Sequence, residues 1–116
     1  MNDLILNESM IKRIKEESVE LIEKLMGQDL MKVILFGSCS RGDYTQDSDV
    51  DIALITSCDR VEVKKYNEGL AAISTQMAMK YFSLVNFVCL PYDEFMQKKS
   101  WYLYFQNIEE GEVLYG

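Results

Sequence analysis

Histidine is absent from the 116 residues, which removes Ser-His and Cys-His nucleophilic pairs and every histidine-ligated metal site. Cysteine is scarce. Cys39, Cys58 and Cys89 are odd in number and include no Cys-x-x-Cys, so neither a disulfide framework nor a zinc cluster is indicated. They read as free thiols, at least two of them in the core. No apolar run approaches the roughly 18 residues of a membrane span. Positive charge is also short: 12 Lys and Arg against 19 Asp and Glu leave a formal charge of −7, the wrong sign for direct grip on a nucleic-acid backbone. The start, Met1-Asn2-Asp3-Leu4, lacks the basic and apolar stretches of a signal peptide, so a cytoplasmic protein is expected. If this chain does chemistry, carboxylates and bound metal must carry it.

What is present suits one domain over residues 1–116, with 48% hydrophobic and 27% charged residues. Asn7 is a good N-cap, and Ile11, Ile14, Leu21, Ile22 and Leu25 recur near helical spacing, predicting a helix from Glu8 to Met26 ended by Gly27. Met31 to Phe36 reads as a buried strand, and Val50 to Ile55 as a second, with Val50, Ile52 and Leu54 facing the core opposite Asp49, Asp51 and Ala53. Between them Gly37 to Ser48 is a loop with one helical turn around Ser38 to Arg41. Asp59 and Glu62 form a capping box for a long helix from Arg60 to Lys80 carrying Val63, Tyr66, Leu70, Ile73 and Met77. Leu84 to Leu90 reads as a third buried strand stopped by Pro91, the single proline, with Asn86 its one polar residue. A short helix over Tyr92 to Gln97, an aromatic helix over Ser100 to Ile108 and an extended Val113 to Tyr115 complete the chain. Trp101, Tyr102, Tyr104 and Phe105 are expected to be mostly core, with a partner surface as the alternative use. The order α-β-β-α-β-α-α-β gives an α/β (α+β) domain, a small mixed sheet flanked by helices.

The residues with chemical character cluster between Gly37 and Asp51. A P-loop is excluded because Arg41-Gly42-Asp43 stands where Gly-Lys-Ser or Gly-Lys-Thr is required. An EF-hand fails too, since Ile52 falls at the obligatory glycine and Cys58 at the bidentate glutamate. Acidic loop residues often only cap and solvate a turn. That reading leaves unexplained two carboxylates in the mouth of a buried strand, where charge is costly without a compensating partner. Side chains two apart on a strand share a face, which sets Asp49 and Asp51 roughly 6–7 Å apart along the backbone, suited to joint capture of a hard divalent cation. Cys39 has no identifiable base and is a bystander.

Gly37-Ser38, then Arg41-Gly42, then Ser48-Asp49-x-Asp51-Ile52 resembles the signature of the nucleotidyltransferase superfamily that includes DNA polymerase β, in particular its minimal members. The ending Asn107-Ile108-x-x-Gly111-x-Val113-Leu114-Tyr115 is similar to their C-termini. The resemblance implies the polymerase β-like nucleotidyltransferase fold, with ATP or another NTP bound through Gly37, Ser38 and Arg41. It also implies Asp49 and Asp51 as catalytic ligands of Mg²⁺, two ions with nucleotide bound. A glycine backbone approaches a triphosphate closely, and a serine at a helix start serves both as cap and as phosphate donor. For Arg41 the loop-orienting role weighs more than direct phosphate contact.

The resemblance further implies a HEPN-type protein as partner in a two-gene toxin–antitoxin module, with AMP passed to a partner tyrosine. The alternative is a weak or inactive member that neutralises such a partner by binding. Homo- and hetero-oligomers are both compatible with it. Two features depart from the family. The chain lacks the extra helical domain of larger relatives, which weighs against small-molecule acceptors. Where a third carboxylate is expected, the third strand offers Asn86, either a neutral metal ligand or a hydrogen-bonded core residue, with Asp93 and Glu94 as substitutes farther along.

Overall fold

The computed structural model describes residues 6–116; the Met1 to Leu4 start read above for leader character lies outside them. Helix α1 spans Glu8–Met26, opened by Asn7, whose side-chain oxygen accepts from Met10 N at 2.9 Å, and closed by Gly27 at φ +56°. Strand β1 is Leu30–Phe36, and the single-turn helix α2 is Ser38–Arg41. Strand β2 is Val50–Thr56, helix α3 Asn67–Tyr81 and strand β3 Val85–Pro91. Helices α4, Tyr92–Lys98, and α5, Leu103–Glu109, lead to strand β4, Glu112–Tyr115. The sheet order is β3-β2-β1-β4, with β2 and β3 parallel and the other pairs antiparallel, so the expected mixed sheet is present.

Two cores cover the two faces of this sheet. On one face Ile11, Ile14 and Ile22 of α1 and Ile73 and Met77 of α3 pack against Val33, Leu35, Val50, Ile52 and Leu54. On the other, Phe95 of α4 and Phe105 and Ile108 of α5 pack against Ile34, Phe36, Ala53 and Ile55. Burial of this apolar surface is the main favourable term of folding. Val50, Ile52 and Leu54 face the core as expected, whereas the placing of Ala53 with Asp49 and Asp51 away from it is corrected. Ala53 and Ile55 lie in the second core, and only the N-terminal end of that face, at Asp49 and Asp51, stays open. Helices α4 and α5 close the face and thereby confine the carboxylates to its rim.

Three more expectations need revision. The segment read as one helix from Arg60 begins as a 3-10 turn over Glu62–Tyr66 before α3 starts at Asn67. Asp59 still caps it, accepting from Val61 N at 3.0 Å and Glu62 N at 2.7 Å. Strand β3 is not fully buried. It is an edge strand, so Phe87, Val88 and Cys89 are half-buried and Asn86 is exposed. Finally, the aromatic helix expected from Ser100 starts only at Leu103, and α5 turns Phe105 and Ile108, three residues apart, inward; Tyr104 (41%), and Trp101 (67%) and Tyr102 (47%) ahead of the helix, are exposed rather than in the core. Of the cysteines, Cys39 and Cys58 are buried and Cys89 is half-buried, all three free thiols. No helix among the described residues is long and apolar enough to cross a membrane.

Candidate active site

The antiparallel register pairs Phe36 with Asp51, and the parallel register pairs Asp51 with Asn86. The end of β1, the start of β2 and the start of β3 therefore meet at one rim of the sheet. Gly37, the first residue after β1, has φ +78° and ψ −157°, a conformation that L side chains rarely adopt. A Cβ there would stand 3.0 Å from Asp51 Oδ2. Glycine is required twice over, for the backbone conformation and for the close approach of the carboxylate. The chain then winds into α2, with Ser40 N and Arg41 N donating to Gly37 O at 3.1 Å each, and ends at Gly42 in the left-handed region.

The loop into β2 is braced by its own side chains. Ser48 Oγ accepts from Thr45 N at 2.8 Å, and Ser48 N returns a bond to Thr45 O at 3.1 Å. Cys39 Sγ donates to Asp49 O at 3.6 Å, tying α2 to the start of β2. Burial raises the Cys39 thiol above its usual range, and the charge of Asp51 pushes the same way. Burial likewise pushes Cys89 up to about 11. Thiolate chemistry at these two positions is disfavoured, consistent with Cys39 as a bystander to catalysis that nonetheless positions the strand.

Asp49 and Asp51 emerge on the same face, the first exposed and the second half-buried. Asn86 Nδ2 donates to Asp49 Oδ2 at 3.3 Å and to Asp51 Oδ1 at 3.1 Å. Asn86 is thus a polar bridge across the carboxylate pair and not a core residue bonded to backbone. The carboxylate oxygens of Asp49 and Asp51 are hard donors of the kind that Mg²⁺ takes, so the pair fits that ion, while the Asn86 amide turns its N–H groups to them. Arg41 turns away to the loop, its Nε 3.3 Å from Asp43 Oδ2. Glu94 is gripped by Arg60, with Nε to Oε2 at 2.7 Å and a terminal guanidinium nitrogen to Oε1 at 2.5 Å, and by Lys98. Arg60 foremost holds the Glu94 carboxyl below its ordinary range, although burial opposes the shift. Asp93 and Glu94 follow Pro91 at the opposite end of β3, five residues or about 16 Å from Asn86 along the strand. Neither substitutes for the missing carboxylate.

Tyr104 was not singled out by sequence for this site. Its ring meets Phe36 edge-on, with centroids 5.9 Å apart. Its hydroxyl is raised above the ordinary tyrosine value by burial and then by the charge of Asp51. No spacing in the sequence links Tyr104 to Asp51; the link runs through the pairing of Phe36 with Asp51.

Residues 11–114 match the family described as the nucleotidyltransferase domain. The chain belongs to the nucleotidyltransferase family. A relative from Methanocaldococcus jannaschii, named "Putative protein adenylyltransferase", is 35% identical to this nucleotidyltransferase over 104 residues, covering 90% of this chain and 96% of the relative. A crystal structure described as a toxin-antitoxin with AMP-PNP superposes with a TM-score of 0.59 at 21% identity, covering 88% of this chain and 73% of that one. A tri-AMPylated Shewanella oneidensis HEPN toxin in complex with its MNT antitoxin gives 0.53 at 21% identity, with 90% and 71% covered. At such identities the two structures show a shared fold. The polymerase β-like architecture expected from the motif is therefore the one this nucleotidyltransferase adopts.

Proposed function

We propose that this nucleotidyltransferase transfers AMP from ATP to a protein partner, with Mg²⁺, and that the partner is a HEPN-type toxin restrained in the cytoplasm. The observation that carries the reading is the pairing of Asp49 and Asp51 at an open rim directly behind the Gly37 turn. Support comes from the adenylyltransferase name of a relative matched over nearly its whole length, and from fold neighbours solved as toxin-antitoxin complexes.

The role of each residue follows from its place. The Gly37 backbone and Ser38 receive the triphosphate, because no Cβ stands between the turn and Asp51. Asp49 and Asp51 would hold Mg²⁺, which supplies charge neutralisation for the phosphates. Cys39 and the Thr45–Ser48 bonds fix the loop so that Asp49 does not swing with it. The acceptor oxygen attacks the α-phosphorus, its proton passes to an Asp49 or Asp51 oxygen or to water, and pyrophosphate leaves. Asn86 cannot accept that proton.

The test incubates the purified chain with the protein encoded by the adjacent gene, ATP and Mg²⁺, and measures the intact mass of both proteins. An adenylyl-sized gain on the partner, lost in Asp49→Ala and Asp51→Ala, is the expected result. Inhibition of the partner with no mass gain would overturn transfer and leave the second reading, neutralisation by contact, which the amide at position 86 favours.

A further inference from the structure

The amide of Asn86 determines more than the rate of such a reaction. Its two N–H groups aim at Asp49 Oδ2 and Asp51 Oδ1, the oxygens that a cation held between the carboxylates would also need. The positive end of the amide dipole thus already serves the like-charged pair. A bare cation has to displace it, and the oxygen that a turned amide then offers is neutral. Two-ion transfer sites place their ions roughly 3.5–4 Å apart, and that repulsion needs compensating negative charge. Here the rim supplies two carboxylates. Glu94 is spent on Arg60 and Lys98. Among the described residues no group of three or more Asp, Glu, His or Cys side chains could hold a metal ion.

We infer that Asn86 makes this a single-cation site: one divalent ion is retained, together with nucleotide phosphate, in place of the two ions that the family resemblance implies. The inference rests on the nucleotide reading above. The phosphates complete the ligand set that Asp49 and Asp51 begin, so ion and nucleotide bind together, and the chain alone holds the ion weakly. Asn86 is the residue that fixes the count, since its register partner is Asp51 and it reaches both carboxylates. Replacing its amide by a carboxylate leaves side-chain size unchanged while adding the missing charge.

The experiment titrates Mn²⁺ into the full chain with AMP-PNP and counts bound ions by electron paramagnetic resonance. The wild type is expected to bind one ion per chain and Asn86→Asp two. Without nucleotide, Asn86→Asp is expected to bind Mn²⁺ on the order of tenfold more tightly than the wild type, from its added ligand charge. Melting supplies a second readout that needs no turnover. With three carboxylates crowded together, Asn86→Asp melts lower in EDTA and recovers with Mn²⁺, whereas the wild type is insensitive to EDTA. Two ions bound by the wild type with AMP-PNP, or one ion bound by folded Asn86→Asp, would overturn the inference and leave nucleotide binding intact. Failure of the wild type to bind either AMP-PNP or Mn²⁺ would overturn this inference and the proposed function together.

Discussion

Replacing Gly37 by alanine perturbs the site through two separable effects, and the structure supplies the control that separates them. At Gly37 the backbone lies at φ +78° and ψ −157°, and the new Cβ would face Asp51 Oδ2 at 3.0 Å. Gly42 also has a positive φ, +85°, but nothing stands within 4 Å of a Cβ there. Gly42→Ala therefore reports left-handed backbone strain alone, about 1–2 kcal/mol. Gly37→Ala carries backbone strain of about 1–3 kcal/mol, in a region more hostile to side chains, and in addition pushes Asp51 away from the turn. For a domain of this size each kcal/mol lowers Tm by roughly 3–6 °C, so Gly42→Ala is expected to melt about 3–12 °C below the wild type and Gly37→Ala lower still. Scanning calorimetry measures the first consequence, and AMP-PNP-dependent Mn²⁺ affinity the second. Affinity should fall in Gly37→Ala and hold in Gly42→Ala. Equal melting and equal Mn²⁺ affinity in the two variants would refute the argument that Gly37 is required by the carboxylate rather than by the turn alone.

Other perturbations test the packing and its electrostatics. Ser18 is fully buried on α1 with no hydrogen-bond partner for its hydroxyl among the described residues, so Ser18→Ala should stabilise, by up to about 1 kcal/mol in urea unfolding. Asp29 accepts from Tyr66 Oη at 2.5 Å and pairs with Lys65 at 3.2 Å, and these contacts, Tyr66 foremost, depress its carboxyl below its ordinary 3.8. A depressed carboxylate stabilises above its unfolded pKa and loses that contribution as pH falls through the folded one. Tyr66→Phe should therefore lower Tm at neutral pH, with a deficit that shrinks on acidification below pH 3.8. Trp101 and Leu103 are 67% and 69% exposed; Trp101→Ser and Leu103→Ser should each leave unfolding free energy within about 0.5 kcal/mol of the wild type, a result impossible if these residues were core.

Much of the fold is legible in the chain because local rules and tertiary structure agree. Asn7 and Gly27 bracket α1 as caps do, and the apolar runs ending at Phe36 and starting at Val50 are strands for want of any helical period. The motif from Gly37 to Asp51 is legible for the same reason: a left-handed glycine and two residues on one strand face are local geometry. Agreement fails where neighbours decide. The aromatic run from Trp101 to Phe105 has the composition of a core helix, yet α5 starts only at Leu103 and turns one narrow face to the sheet, so that of the run's four rings Phe105 alone is buried. The apolar run of β3 suggests full burial, and its edge position denies it.

The sequence by itself determined that carboxylates and not histidine or cysteine would carry any chemistry, and that Asp49 and Asp51 share a face, because composition and a two-residue period need no partner strand. Tertiary structure alone decided what stands around them. Strand register set Asn86 across from Asp51, antiparallel pairing and helix α5 brought Phe36 and Tyr104 to the same rim, and the α4–α5 layer sealed the sheet beyond Ala53. These are relations between segments distant in the chain, such as Asp51 and Asn86, 35 residues apart. They follow from which strands pair and in what register, a choice made by the packing of two whole cores and written in no local pattern.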